Sequence, residues 1–103
     1  MDKISALNEI LDLDPKNSFA RYGLAMELAK EGQTDVALAE FDRLLAVDPA
    51  YTAAYFMAAQ TLASAGRAPE AIARLKAGIE SAQRTGNQHA AGEMQAMLDE
   101  LDR

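Results

Sequence analysis

Apolar residues recur along this chain at steps of three and four, and the stretches in which they do so are separated by short polar segments carrying Gly or Pro. Ile4, Leu7, Ile10 and Leu11 share one face of a helix from about Asp2 to Leu13. Asp14-Pro15 ends it, because proline pushes the residue before it out of the α region and cannot donate to the preceding turn. A second helix, about Ser18 to Glu31, carries Tyr22, Leu24, Ala25 and Leu28, and Gly32 supplies the left-handed conformation that stops it. The third spans about Asp35 to Val47, the fourth about Thr52 to Ala65, and the fifth about Pro69 to Arg84, with Pro69 in its first turn. Gly86-Asn87 then breaks the chain before a sixth helix, about Gln88 to Leu101, whose Met94, Leu98 and Leu101 recur at intervals of four and three. The pattern predicts an all-α fold of about six helices.

The chain also matches itself at an offset of 34 residues: Leu13-Asp14-Pro15 returns as Val47-Asp48-Pro49, and Leu28, Gly32, Ala37 and Phe41 meet Leu62, Gly66, Ala71 and Leu75. Ser18 and Thr52 coincide as well, each at a helix start, where a hydroxyl can accept from first-turn N–H groups. Leu7 falls on Phe41, so the first helix matches the second half of a repeat.

Composition narrows the class further. Ala and Leu dominate an apolar share of 50% and there are three prolines, which favours helix over strand. A chain of 103 residues suits one domain that buries roughly 60–70% of its unfolded surface. With no cysteine, disulfide scaffolds, thiolate metal sites and thiol nucleophiles are excluded, and a reducing, cytoplasmic setting is the expectation. The N-terminus shows no signal-peptide pattern and no stretch has the roughly 20 apolar residues of a membrane span. A net charge of −6 argues against nucleic acid and anionic membranes as partners, since both select dense positive charge.

A helix-turn-helix period of 34 residues with small residues, Gly and Pro at fixed offsets resembles the tetratricopeptide repeat. The family's aromatic, Leu-Gly, aromatic, Ala, Phe and Pro are met by Arg21, Leu24-Ala25, Leu28, Ala37, Phe41 and Pro49, then by Tyr55, Ala58-Ala59, Leu62, Ala71, Leu75 and Gln83. Arg21 and Gln83 are departures, at an aromatic and a proline position. The resemblance implies a right-handed superhelical stack of antiparallel helix pairs in a single domain, 1–103: a half-repeat over 1–15, repeats over 18–51 and 52–85, and a capping helix over 86–103. Ala25 with Ala37, and Ala59 with Ala71, are expected where the two helices of a pair approach, since larger side chains there would splay them.

The resemblance also implies a concave binding face lined by the first helix of each pair. Its positions fall on Phe19, Tyr22, Met26 and Lys30, and on Phe56, Gln60 and Ser64. An apolar, adaptable floor of Phe19, Tyr22, Met26 and Phe56 suits a peptide or helix of a partner protein, with Lys30, Gln60 and Ser64 available for hydrogen bonds. The alternative role for Tyr22 and Phe56 is to fill space between neighbouring helices. The carboxylate clamp, through which other members hold chaperone C-termini, needs Lys, Asn and Arg along this groove; Lys30 is the one cation at the corresponding positions, so that pattern is absent.

The expected function is therefore protein binding without catalysis, by a stand-alone repeat protein acting as adaptor or scaffold. The alternatives are assembly or weak self-association through the terminal helices and, remotely, an enzyme whose site goes unrecognised. The first helix lacks a partner helix, and its outer edge is either a candidate docking surface or a simple cap solvated by Asp2, Glu9 and Asp12; Glu93, Asp99, Glu100 and Asp102 give the last helix an acidic side that reads as a solvating cap. Arg67, Arg74, Lys76 and Arg84 give the second repeat a basic character that an ordinary solvated face accounts for. His89 is the lone histidine and reads as a surface residue, so no zinc set forms; calcium loops and phosphate-binding glycine loops are missing too. No catalytic residue, metal or cofactor is expected.

Overall fold

Asp2 opens the first helix, its carboxylate accepting the Ser5 backbone N–H at 2.7 Å, in a computed structural model that describes residues 2–103. Six helices follow: α1 Lys3–Leu13, α2 Ser18–Lys30, α3 Thr34–Val47, α4 Thr52–Ser64, α5 Ala68–Arg84 and α6 Gln88–Leu101, with no strand among the described residues. The fold is all-α, as the periodicity predicts.

The cap of α2 differs from the expectation. Asn17, one residue before Ser18, is in extended backbone and its amide oxygen accepts the Ala20 N–H at 2.9 Å. Asn87 caps α6 in the same manner, accepting from Ala90 at 3.2 Å. Thr52 instead turns its hydroxyl back onto the Ala50 carbonyl at 3.3 Å, and α4 has no side-chain cap.

Helix ends fall into two kinds, each with a sequence cause. Gly32, Gly66 and Gly86 have φ of 77°, 76° and 74°, and the residue after each donates to the carbonyl five positions back: Gln33 to Leu28, Arg67 to Leu62 and Asn87 to Ala82. By contrast α1 and α3 stop at Asp14 and Asp48, whose φ/ψ of −141°/79° and −136°/78° lie outside the α region that a following proline disfavours. Gln83 stands at the third such proline position, and α5 runs on through Arg84 to 17 residues against 14 for α3.

The helices form two compact units that divide between Asp48 and Pro49. In the first, α2 packs against both α1 and α3; its core includes Leu11, Leu24, Leu28, Phe41 and Leu44, and Tyr22 meets Phe41 edge-on, centroids 6.3 Å apart. In the second, α5 packs against α4 and α6 around Leu62, Leu75, Met94 and Leu98. Ala25, Ala37, Ala59 and Ala71 are fully buried, as expected of residues that let paired helices close.

The departure at Arg21 is resolved by side chains the periodicity does not mark. Arg21 Nη1 donates to Glu40 Oε1 at 2.6 Å, Nη2 donates to the Pro15 carbonyl at 3.0 Å, and Arg43 holds the other Glu40 oxygen. Thirty-four residues on, the Tyr55 hydroxyl donates to the Pro49 carbonyl at 2.8 Å, and Ser81 donates to the same oxygen at 3.1 Å. In each unit the residue six positions after the proline thus holds the proline carbonyl, by a guanidinium in one and a phenol in the other. Helix facings compensate in size. The arginine lines the same small depression as Leu44, whereas the Tyr55 ring lies against Gly78, the residue at the Leu44 offset.

Candidate functional site

Steps of three, four and four place Phe19, Tyr22, Met26 and Lys30 on one face of α2, because a helix returns to nearly the same direction at each. Phe19 is 79% exposed, an unusual state for a phenylalanine, while Leu24, Ala25 and Leu28 take the buried side. Tyr22 and Met26 are half-buried; the Tyr22 ring is steadied by its edge contact with Phe41. The strip therefore runs from a free aromatic through two partly supported apolar side chains to a cation. That cation is engaged: the Lys30 ammonium lies 3.7 Å from Glu27, a carboxylate it shares with Lys3 of α1, also at 3.7 Å.

On α4, steps of four align Phe56, Gln60 and Ser64. Phe56 is half-buried and the other two are exposed. Tyr55 turns away into the packing against Gly78 and Met94, so Phe56 is the aromatic that α4 keeps on the strip. Each set is assembled along its own helix.

Few other features invite chemistry. Open clefts of about 370 Å³, lined by Asp2, Lys3, Ile4, Ser5, Glu27 and Glu31, and about 350 Å³, lined by Pro49, Ala50, Ser81, Arg84 and Thr85, gather no nucleophile-base pair. His89 is exposed on α6 and its Nε2 lies 3.2 Å from Glu93, one turn along. Among the described residues no cluster of three His, Cys, Asp or Glu could hold a metal, and no helix is long and apolar enough to cross a membrane. Sequence reasoning missed Glu40, a buried carboxylate that holds two arginines. Its partner Arg21 is 19 residues away on another helix, a separation that carries no periodic signal.

A tetratricopeptide repeat family model matches residues 28–98. Among solved structures, the solution structure of BPP2914 from Bordetella parapertussis is 28% identical with a TM-score of 0.86, covering 100% of this chain and 90% of that one. A tetratricopeptide repeat domain protein from Salinibacter ruber is 33% identical with a TM-score of 0.78, covering 85% and 89%. The TPR2B domain of yeast Sti1, solved in complex with pHsp70, is 20% identical with a TM-score of 0.87, covering 96% and 79%. No curated protein matches the sequence. With helix pairs spaced 34 residues apart, the glycine and proline stops in register and a family match across residues 28–98, this chain belongs to the tetratricopeptide repeat family.

Proposed function

We propose that the chain is a non-catalytic protein-interaction module of the cytoplasm, and that the strips on α2 and α4 receive a peptide or helix of a partner protein on the concave face the family presents. The observation that carries this is the α2 strip. Phe19 stands 79% exposed in line with Tyr22 and Met26, on a face whose one cation is already paired. Large apolar side chains lined up on one helix face and rimmed by polar residues mark an interaction surface in a way that a single exposed side chain does not. The yeast domain of the same fold, solved with a bound partner, supports the class of function. With Lys30 standing at the end of an otherwise apolar run, the strip favours an apolar ligand over an acidic tail.

Capture of partner proteins from a lysate of the source organism tests this, comparing the wild-type chain with Phe19→Ser and with Tyr22→Ala/Phe56→Ala. Phe19→Ser is the cleaner variant, because Tyr22 also supports Phe41 and its loss costs packing. The expected result is a retained protein that both variants lose while keeping wild-type helicity. Equal recovery by the folded variants refutes the strips as the site.

A further inference from the structure

Helix α1 has a second apolar face that is left partly open, and the internal repeat shows what such a face accommodates. At the 34-residue offset Lys3, Ala6, Ile10 and Leu13 correspond to Ala37, Glu40, Leu44 and Val47 of α3. On α3 the first three of these positions are where α2 lies: Glu40 takes the Arg21 guanidinium, Phe41 beside it takes the Tyr22 ring, and Leu44 is 1% exposed, while Val47 at the end of the strip stays 50% exposed. On α1, Ile10 is 44% exposed and Leu13 is 90% exposed, while Leu11 is spent on the contact with α2.

We propose that the Ala6–Ile10–Leu13 strip is a docking surface for one amphipathic helix of a partner protein, a helix with a leucine-type stripe flanked by basic residues. A helix is the occupant because a helix covers the equivalent strip within this fold, and because the backbone of α1 is hydrogen-bonded along its length and offers no edge to an extended strand. Basic flanks follow from charge. Asp2, Glu9 and Asp12 are exposed and recur at helical spacing along the border of the strip. The same charges oppose a second copy, since a two-fold pairing of α1 sets like rows against each other. Lys3 stands where α3 has fully buried Ala37, so the docked helix cannot close at that end as α2 does on α3, and it anchors at Ile10 and Leu13. The surface is separate from the strips on α2 and α4.

The test uses the full chain and a roughly 15-residue synthetic helical peptide, four turns long, with Leu at i, i+3 and i+7 and Lys on both flanks, beside a counterpart with Glu flanks. Amide shift mapping is expected to place the Lys-flanked peptide on Lys3–Leu13. Ile10→Glu and, independently, the less intrusive Leu13→Ser are expected to weaken it about tenfold or more, and the Glu-flanked peptide to bind about tenfold more weakly than the Lys-flanked one. Mapping to α2 or α4, affinity unchanged by Leu13→Ser, or sedimentation showing a dimer of the chain that Leu13→Ser dissociates each overturns the proposal. Helicity of each variant is checked first; if Ile10→Glu unfolds, Leu13→Ser decides.

Discussion

Replacing Glu40 by alanine removes a buried carboxylate that joins α2 to α3. Its side chain is 8% exposed, Arg21 is 17% exposed and Arg43 is 63% exposed. Breaking a fully buried ion pair by deleting one partner costs about 3–5 kcal/mol, because the remaining charge is stranded out of water, whereas an exposed pair contributes about 0–1 kcal/mol. The contact with Arg43 is of the second kind. Arg21 lies between the limits: after the change it keeps its bond to the Pro15 carbonyl and a partial route to solvent. Glu40→Ala should therefore destabilise α1 to α3 by about 2 kcal/mol, a fall in melting temperature of roughly 10 °C. Thermal unfolding followed by circular dichroism measures the size, and amide exchange shows whether the loss concentrates in α2 and α3. The decisive experiment is a double-mutant cycle of Arg21→Met, Glu40→Leu and their combination, since the double variant removes both charges, fills the volume and should recover most of the loss. A single-mutant effect below about 0.5 kcal/mol, or a double mutant that simply adds the two losses, refutes the account.

Gly78→Ala is expected to destabilise the second unit by up to about 2 kcal/mol, because an added Cβ meets Met94 Sδ at 2.5 Å and Tyr55 Cβ at 2.6 Å; the thioether can swing aside, but Tyr55 Cβ moves only with α4, so overpacking exceeds the gain of about 1 kcal/mol in helix propensity. Gly92→Ala is its control: nothing lies within 4 Å there, and urea titration should show a gain of up to about 1 kcal/mol. The Asp2 carboxyl titrates below its ordinary value, chiefly because the Ser5 backbone N–H donates to its charged form. A depressed folded pKa gives stability that is present above the unfolded value and lost as pH falls through the folded one. Amide protection in the first turn of α1 should accordingly drop on acidification through that window, and Asp2→Asn, which keeps an acceptor that does not titrate, should remove the pH dependence.

Helix placement was legible because each boundary has a local cause. Gly32, Gly66 and Gly86 adopt the left-handed conformation that few other residues tolerate, and Asp14 and Asp48 leave the α region because proline follows. Pairing was legible too, since the burial of Ala25, Ala37, Ala59 and Ala71 reflects a steric demand repeated at a fixed interval. The candidate strips were legible as spacing alone: a step of three or four states that Phe19, Tyr22 and Met26 share a face, but not that Phe19 stands clear while Tyr22 leans on Phe41. The cap of α2 was misplaced by one residue, because Asn17 and Ser18 are both good acceptors in sequence and backbone geometry selects between them.

The number of helices, their ends, the 34-residue period and the family are legible along the chain, because all depend on local stereochemistry or on its repetition. The packing of helices against one another decided how the departures are accommodated. Arg21 at an aromatic position becomes a bridge to Glu40 and Pro15, and Tyr55 at the same position in the next repeat fits because Gly78 faces it. It also decided that Ile10 remains open where Leu44 is closed. These outcomes depend on which side chains from distant helices meet, and spacing along one helix carries no information about the residue that faces it from another.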